Sequence, residues 1–392
     1  MSTPFEIAKK ISFQQQKSYT GFIVRLSIAA TSISVAAIIL TLSIVNGFQE
    51  TVSNKVFQFW GHIRVNTVNG GSFEQIKNPG FLKHPSIKNH SAFLNQSSVL
   101  SYKQDIEGVI VKGLPSKSTI PFLIKGHSLN YDTSTHNGII LSDALALKLN
   151  IPLDSTIRLN FLNNGNVQQR KMKVVGLYHS GIEEYDKQFV IADIQFLQQL
   201  SAQPNLIEGY SIELKPGASI DLANTEIQKT LPPNLVATSI KDYYPQIFDW
   251  IGVQTINKNV TIGILLIIAI VNLLTCLFIL MLERVGMIGT LTSLGATTGF
   301  IRQVFLYQAS FICWIGIAIG TFIGIGLCLL QQHFGWIQLD ETAYFISTLP
   351  VKLNPVEIVW VILGTAVISY LSFLIPTLWI HKISPAKAIH FN

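Results

Sequence analysis

Residues 260–282 read VTIGILLIIAIVNLLTCLFILML, with Lys258 just before and Glu283 just after, and no Asp, Glu, Lys or Arg between. An α-helix rises 1.5 Å per residue, so about 20 apolar residues cross the hydrocarbon of a bilayer. The stretch therefore predicts a membrane-spanning helix. Three further runs share its character: Leu26 to Val45, Val304 to Leu330 and Ile358 to Ile380, each free of formal charge. Four such runs cannot be hidden in the core of a 392-residue soluble protein.

The composition agrees. Charged residues make up 13% of the chain and apolar residues 48%, against roughly 25% charged in an ordinary soluble domain. The first span is longer than a signal-peptide core and has no small-residue cleavage site after it, so it reads as an uncleaved anchor. The three cysteines, Cys276, Cys313 and Cys328, all lie inside spans, which leaves no disulfide framework in the polar part and no metal-ligand spacing.

Lys and Arg placement gives orientation, because short cytoplasmic segments carry the positive excess. Segment 1–25 has Lys9, Lys10, Lys17 and Arg25 against Glu6; loop 283–303 has Arg284 and Arg302 against Glu283; the tail 381–392 has Lys382 and Lys387 and no acid. Segments 46–259 and 331–357 carry no such excess. The expected order is a cytoplasmic amphipathic segment 1–25, helix 26–45, an outward domain 46–259, helix 260–282, a cytoplasmic loop 283–303, helix 304–330, an outward loop 331–357, helix 358–380 and a cytoplasmic tail 381–392. The net charge of +6 thus belongs to topology and does not mark a nucleic-acid surface.

The 46–259 segment alternates short β-like runs (His62–Val65, Gly108–Val111, Thr156–Phe161, Met172–Leu177, Phe189–Ile191, Tyr210–Leu214) with helical stretches at Asp143–Leu149, Ile194–Leu200 and Asp221–Thr230. That mixture predicts an α+β domain, with room for two lobes. Asn163-Asn164-Gly165-Asn166 is a hairpin turn by composition. Gly181 to Asp186 reads as an exposed turn, and His84 and His90 as surface or capping residues on a turn-rich stretch. Gly113 to Thr119 lacks the frame of a phosphate loop, and no nucleophile or acid–base set is visible, so catalytic and metal residues are expected to be none.

Within the spans, Gly316, Gly320 and Gly324 recur every four residues and predict a face for close helix packing. Ser27, Thr31, Ser34 and Thr41 share one face of the first span. In loop 283–303, Ile288, Leu291 and Leu294–Gly295 recur at helical spacing, which suits a short amphipathic helix.

The chain resembles the LolC/LolE family of lipoprotein-releasing ABC permeases, within the wider MacB/FtsX-like group. The residues that carry the likeness are Ser43-Ile44-Val45-Asn46-Gly47-Phe48, Gly61-His62-Ile63-Arg64-Val65, Gly138-Ile139-Ile140-Leu141-Ser142, Val174-Val175-Gly176-Leu177-Tyr178, Glu184-Tyr185-Asp186, Leu294-Gly295-Ala296-Thr297 and Ser384-Pro385-Ala386-Lys387-Ala388-Ile389. The resemblance implies an α-helical membrane protein with four transmembrane helices and a large periplasmic α+β domain inserted between helices 1 and 2, the MacB-like or type VII architecture. It implies a non-catalytic inner-membrane subunit that extracts outer-membrane-directed, triacylated lipoproteins and passes them to a periplasmic LolA-like carrier. ATP and Mg would bind a separate LolD-like ATPase dimer, with no cofactor in this chain. A second permease chain would complete the complex, as a homodimer or a LolC/LolE-type heterodimer.

By the same resemblance, ATPase coupling falls to Glu283, Arg284, Met287, Ile288, Leu291, Leu294, Gly295 and Ala296. Val45, Phe48, Ile256, Val260 and Ile264 become outward-facing contacts on the substrate path. Asn163, Asn164, Gly165 and Asn166 sit where LolC-like chains carry a carrier-contact hairpin; here Asn160–Arg170 is shorter and has no proline. Alternative functions on the same architecture are MacB-like export of another substrate and FtsX-like mechanical control of a periplasmic cell-wall hydrolase.

Overall fold

A computed structural model of the chain describes residues 19–77, 79–115, 122–127, 129, 137–163, 166–201, 203 and 205–377. The readings placed on most of 1–25, on Ser116–Thr119, on Asn164 and Gly165 and on the 381–392 tail lie outside those residues. Contacts divide the chain into two compact units. One holds residues up to 49, 251–338 and 348 onward; the other holds 50–250 and 339–347.

The first unit is helical. Four helices among the described residues are long and apolar enough to cross a membrane. They are α1 (Tyr19–Trp60), α7 (Pro245–Glu283), α9 (Thr298–Phe334) and α11 (Pro355–Thr377), with a short α8 (Val285–Ser293) between α7 and α9. The first three outrun the apolar stretches, because the polar residues flanking those stretches continue the same helices. Ile39 of α1, Leu277 of α7, Ile288 of α8, Phe305 of α9 and Phe373 of α11 meet in one buried cluster.

The glycines of α9 lie on α1. A Cβ at Gly316 would stand 2.8 Å from the Cβ of Thr31; at Gly320, 2.5 Å from the Ser32 carbonyl; at Gly324, 3.1 Å from the Cβ of Ile39. The Ser32 hydroxyl lies 3.0 Å from the Gly316 carbonyl, and Ser27, Thr31 and Ser34 are buried. Small residues on both helices let the two backbones approach. Asn272 of α7 donates to the Ser27 carbonyl at 3.2 Å, a bond between spans.

The second unit is α+β. After the last turns of α1 its elements are β1 (Ile63–Thr67), β2 (Phe73–Glu74), a 3-10 turn at Gly80–Lys83, β3 (Ile87–Tyr102), β4 (Asp105–Leu114), β5 (Leu123–Gly126), β6 (Gly138–Ser142), α2 (Asp143–Lys148), β7 (Thr156–Asn163), β8 (Asn166–Tyr178), α3 (Glu183–Gln188), β9 (Phe189–Asp193), α4 (Ile194–Leu200), β10 (Leu206–Ile207), β11 (Gly209–Leu214), α5 (Ile220–Thr230), β12 (Leu235–Ser239) and α6 (Ile240–Tyr243). Residues 339–347 add α10 (Glu341–Tyr344). The sheet runs β12-β1-β11-β3-β4-β9-β6-β8-β5, and β7 bridges β3 and β8. Strands β3, β4, β9, β6, β8 and β7 therefore close into a ring. The 16-residue β3 serves twice: Ile87 to Phe93 pair with β11, and Leu94 to Tyr102 pair with β4.

Strands β6 and β9 are buried on both faces, which explains their unbroken apolar runs. Ile139, Leu141, Val190 and Ala192 enter the main core of the sheet. Ile140, Phe189 and Ile191 point the other way, into a second cluster with Val56, Phe59 and Trp60 from the end of α1.

The structure corrects three local readings. Gly181–Asp186 is largely buried and leads into α3, with only Glu183 and Glu184 exposed. The Tyr185 ring stacks on Phe59 at 4.8 Å and holds the segment down. His90 is exposed, as a surface residue should be, but it lies in β3, paired with Ile212, and not on a turn. Phe48, read as facing outward, is 8% exposed.

Candidate functional site

The α8–α9 corner shows why Leu294-Gly295-Ala296-Thr297 has that composition. Gly295 takes φ +89°, the left-handed region that only glycine enters without strain. Its N–H donates to the Thr292 carbonyl at 3.0 Å, and the Ala296 N–H reaches back to Leu291 at 2.9 Å. Those are the paired bonds of a glycine-terminated helix end. Thr297 then caps α9, accepting from the Phe300 N–H at 3.3 Å. The corner sorts the residues expected to couple to an ATPase into two sets. Ile288 is buried in the helical core, and Met287, Leu291 and Ala296 pack against it. Leu294 is 79% exposed, Gly295 and Glu283 are also exposed, and Arg284 is half-buried. The inner set fixes α8 to the bundle and leaves Leu294 as an exposed apolar side chain at the corner.

At the other end of the spans, Asn46, Gly47 and Gln49 each have a task. Asn46 accepts from Lys258 at 2.9 Å and donates to Glu357 at 2.5 Å, joining α1, α7 and α11. Glu357 also accepts from Asn354 at 3.1 Å. Gly47 leaves space for the backbone of Pro350–Lys352: an added Cβ would stand 2.8 Å from both the Lys352 nitrogen and the Pro350 oxygen. Lys352 N–H donates to the Ser43 carbonyl at 2.9 Å. Gln49 donates to the Ile251 carbonyl at 3.1 Å and reaches the Thr255 hydroxyl at 2.7 Å. On α7, Ile256, Val260 and Ile264 are 63%, 55% and 53% exposed and lie four residues apart, so they form one apolar stripe. Val45 is half-buried. The path candidates thus divide into an open stripe on α7 and residues of α1 that are turned inward or half-covered.

In the sheet unit, β7 and β8 pair as far as Asn163 opposite Asn166, which makes the predicted hairpin. Its exposed end carries Leu162 and Val167, at 72% and 68% exposure.

The end of α1 is clasped by two buried basic side chains, Lys112 and Arg64. The Lys112 ammonium sits 4.0 Å from the ring centroids of both Phe59 and Trp60 and donates to the Phe59 carbonyl. Burial, reinforced by the nearby Arg64 charge and opposed by Glu208, holds the Lys112 pKa well below the ordinary lysine range. Arg64, 2% exposed, stacks over Trp60, Phe93 and Tyr243 and reaches Glu208 at 3.4 Å. Ser211 donates to the Trp60 carbonyl at 2.7 Å. Helix ends leave carbonyls without partners; here β4 and β11 supply them.

Asp143, His179 and Asp186 are the group of metal-ligand type among the described residues, with donor atoms within 4.8 Å of one another. Each atom is already engaged. Asp186 accepts from the Ser180 N–H and hydroxyl at 3.0 and 2.7 Å and from the Gly181 N–H at 3.0 Å. His179 meets Asp143 at 3.0 Å. The arrangement is a charge network within the fold.

Residues 26–230 match the family described as MacB-like periplasmic core domain, and residues 259–385 match the FtsX-like permease C-terminal family. The chain belongs to the MacB-like periplasmic core domain family. The chain is 23% identical over 427 residues to the lipoprotein-releasing system transmembrane protein LolE of Haemophilus influenzae, covering 99% of each chain. It is 25% identical over 412 residues to LolC of the same organism, covering 100% of each. The periplasmic region of MacB from Actinobacillus actinomycetemcomitans, a solved structure, is 13% identical with a TM-score of 0.35, over 51% of this chain and 98% of that one. The resemblance to LolC and LolE read from short motifs thus extends over the whole chain.

Sequence reasoning passed over Lys112, Arg64, Glu357 and His179. Their partners are 53, 144, 311 and 162 positions away along the chain. One signal was available: Lys112 interrupts the apolar alternation of β4, where a charge on a core strand must have a partner.

Proposed function

We propose that this chain is the membrane-spanning permease subunit of an ABC transporter that releases acylated lipoproteins from the inner membrane. The observation that carries the reading is full-length similarity to both LolE and LolC, joined to a helix corner that displays one apolar knob, Leu294, on an otherwise fixed frame. On this reading both termini and the α8–α9 corner face the cytoplasm and the sheet unit faces the periplasm. A separate ATPase dimer binds ATP and Mg and grips Leu294. A second permease chain, identical or related, completes the path, and a soluble carrier receives the cargo, with the β7–β8 hairpin as its contact.

The physical need for work is plain. Each CH₂ drawn out of the bilayer costs about 0.8 kcal/mol, so three long acyl chains are held by tens of kcal/mol, roughly. The Ile256, Val260 and Ile264 stripe offers apolar surface to chains in transit and lowers that cost.

Depletion followed by membrane fractionation tests the reading. Lipoproteins destined for the outer membrane should accumulate in the inner membrane. Unchanged sorting under complete depletion contradicts it. Failed separation of daughter cells with normal sorting would favour the wall-hydrolase alternative.

A further inference from the structure

His179, just after β8, faces carboxylates from three elements. Its Nδ1 lies 3.0 Å from Asp143 of α2 and 3.8 Å from Asp186 of α3, and its Nε2 lies 3.0 Å from Glu341 of α10. The same Glu341 oxygen meets Lys55 of α1 at 3.5 Å, and Lys55 also donates to the Phe345 carbonyl at 2.7 Å. The packing leaves no spare room: a Cβ at Gly181 would stand 2.1 Å from the Lys55 nitrogen and 2.5 Å from the Glu341 oxygen.

A neutral imidazole has one N–H and one bare lone pair. Two ring nitrogens, each 3.0 Å from an ionised carboxylate, cannot both be satisfied by it: one contact would set lone pair against lone pair. The imidazolium donates from both nitrogens and also relieves the surplus of carboxylates over the Lys55 charge. Only the protonated ring can satisfy both 3.0 Å contacts at once.

We propose that protonated His179 is a pH-operated latch that holds the α10 end of segment 339–347 on the sheet unit and releases Glu341 when the imidazole loses its proton. Phe345 packs edge-on against Trp250 at 6.1 Å and Ile346 is 5% exposed, so the far end of the segment stays anchored and acts as the hinge. Asp143, Asp186, Glu341 and Lys55 are the charged groups that face the ring. Burial disfavours the imidazolium, but hydrogen bonds and charge from Asp143 and Glu341 outweigh it, so the His179 pKa lies above its ordinary value. Burial lifts the Asp186 carboxyl as well, against its bonds from Ser180 and Gly181 and the His179 charge. For a histidine raised in the folded state, the stabilisation is complete below about pH 6.5 and is lost as pH climbs through the raised value.

The test uses the full chain in nanodiscs, with Cys276, Cys313 and Cys328 replaced by Ala and spin labels at Leu147→Cys and Tyr344→Cys, both exposed. Distance distributions are recorded at about pH 5.5 and about pH 8.5, on either side of the ordinary histidine range. The latch predicts a narrow distribution at the lower pH that shifts and broadens at the higher one. His179→Gln and Glu341→Gln should each abolish that pH dependence, and either suffices if the other does not fold. Identical wild-type distributions at both pH values, or a shift that persists in both variants, would overturn the proposal.

Discussion

At the scale of single residues, Gly47 makes the sharpest statement. The space where its Cβ would sit is filled by backbone of Pro350–Lys352, which cannot rotate away as a side chain can. Gly47→Ala must push that segment off α1 and stretch the Lys352–Ser43 bond. Overpacking of this kind costs about 1–3 kcal/mol. Thermal unfolding of the detergent-solubilised variant should show a lower midpoint; an unchanged midpoint would mean the 350–352 segment yields freely. The Asn-Gly-Phe motif was visible in the sequence, and together with the other quoted stretches, in their order, it carried the family resemblance. The reason for each letter was not, because Pro350 and Glu357 lie about 300 positions further on. Phe48 shows the limit in the other direction: an aromatic at the end of a span reads as a contact surface, and tertiary packing has buried it.

At the scale of elements, α8 and the corner after it separate buried residues from the exposed Leu294, where the proposed function places ATPase docking. Leu294→Asp alters an exposed side chain. The folded subunit should survive, while co-purification with the ATPase falls by about tenfold or more, some 1.4 kcal/mol of lost affinity. Ile288→Asp places a charge in the helical core. It should lower yield and heat stability of the subunit itself, whether or not the ATPase is present. If both variants retain normal ATPase stoichiometry, the corner is not the docking element. The spans, the β7–β8 hairpin and α4 were legible because each has a local cause: continuous apolarity, Asn and Gly at a tight turn, and Asp193 accepting from Gln195 at the helix start. Strand β3 was not legible. Its sequence IKNHSAFLNQSSVLSY is rich in Asn, Ser, Gln and His, residues of weak strand preference. Pairing with β11, β4 and β7 overrides that preference, and no local pattern announces three partners.

At the scale of the whole molecule, the proposed function gives this chain the mechanics and leaves the chemistry to a separate ATPase. The described residues hold a clasp of Lys112, Arg64 and Ser211 around the end of α1, a glycine-lined contact between α1 and α9 and a corner with one exposed apolar knob. The α+β class with its four spans was predictable from periodicity and length. The closure of β3, β4, β9, β6, β8 and β7 into a ring was not, since it depends on which strands meet and not on what each strand is. The most direct test is ATP-dependent transfer of a triacylated lipoprotein from proteoliposomes to a soluble carrier, measured with this subunit and its co-purifying ATPase. The account predicts release that needs both proteins and ATP and that fails with Leu294→Asp. Release by the ATPase without this subunit, or full release with ATP omitted, would contradict it.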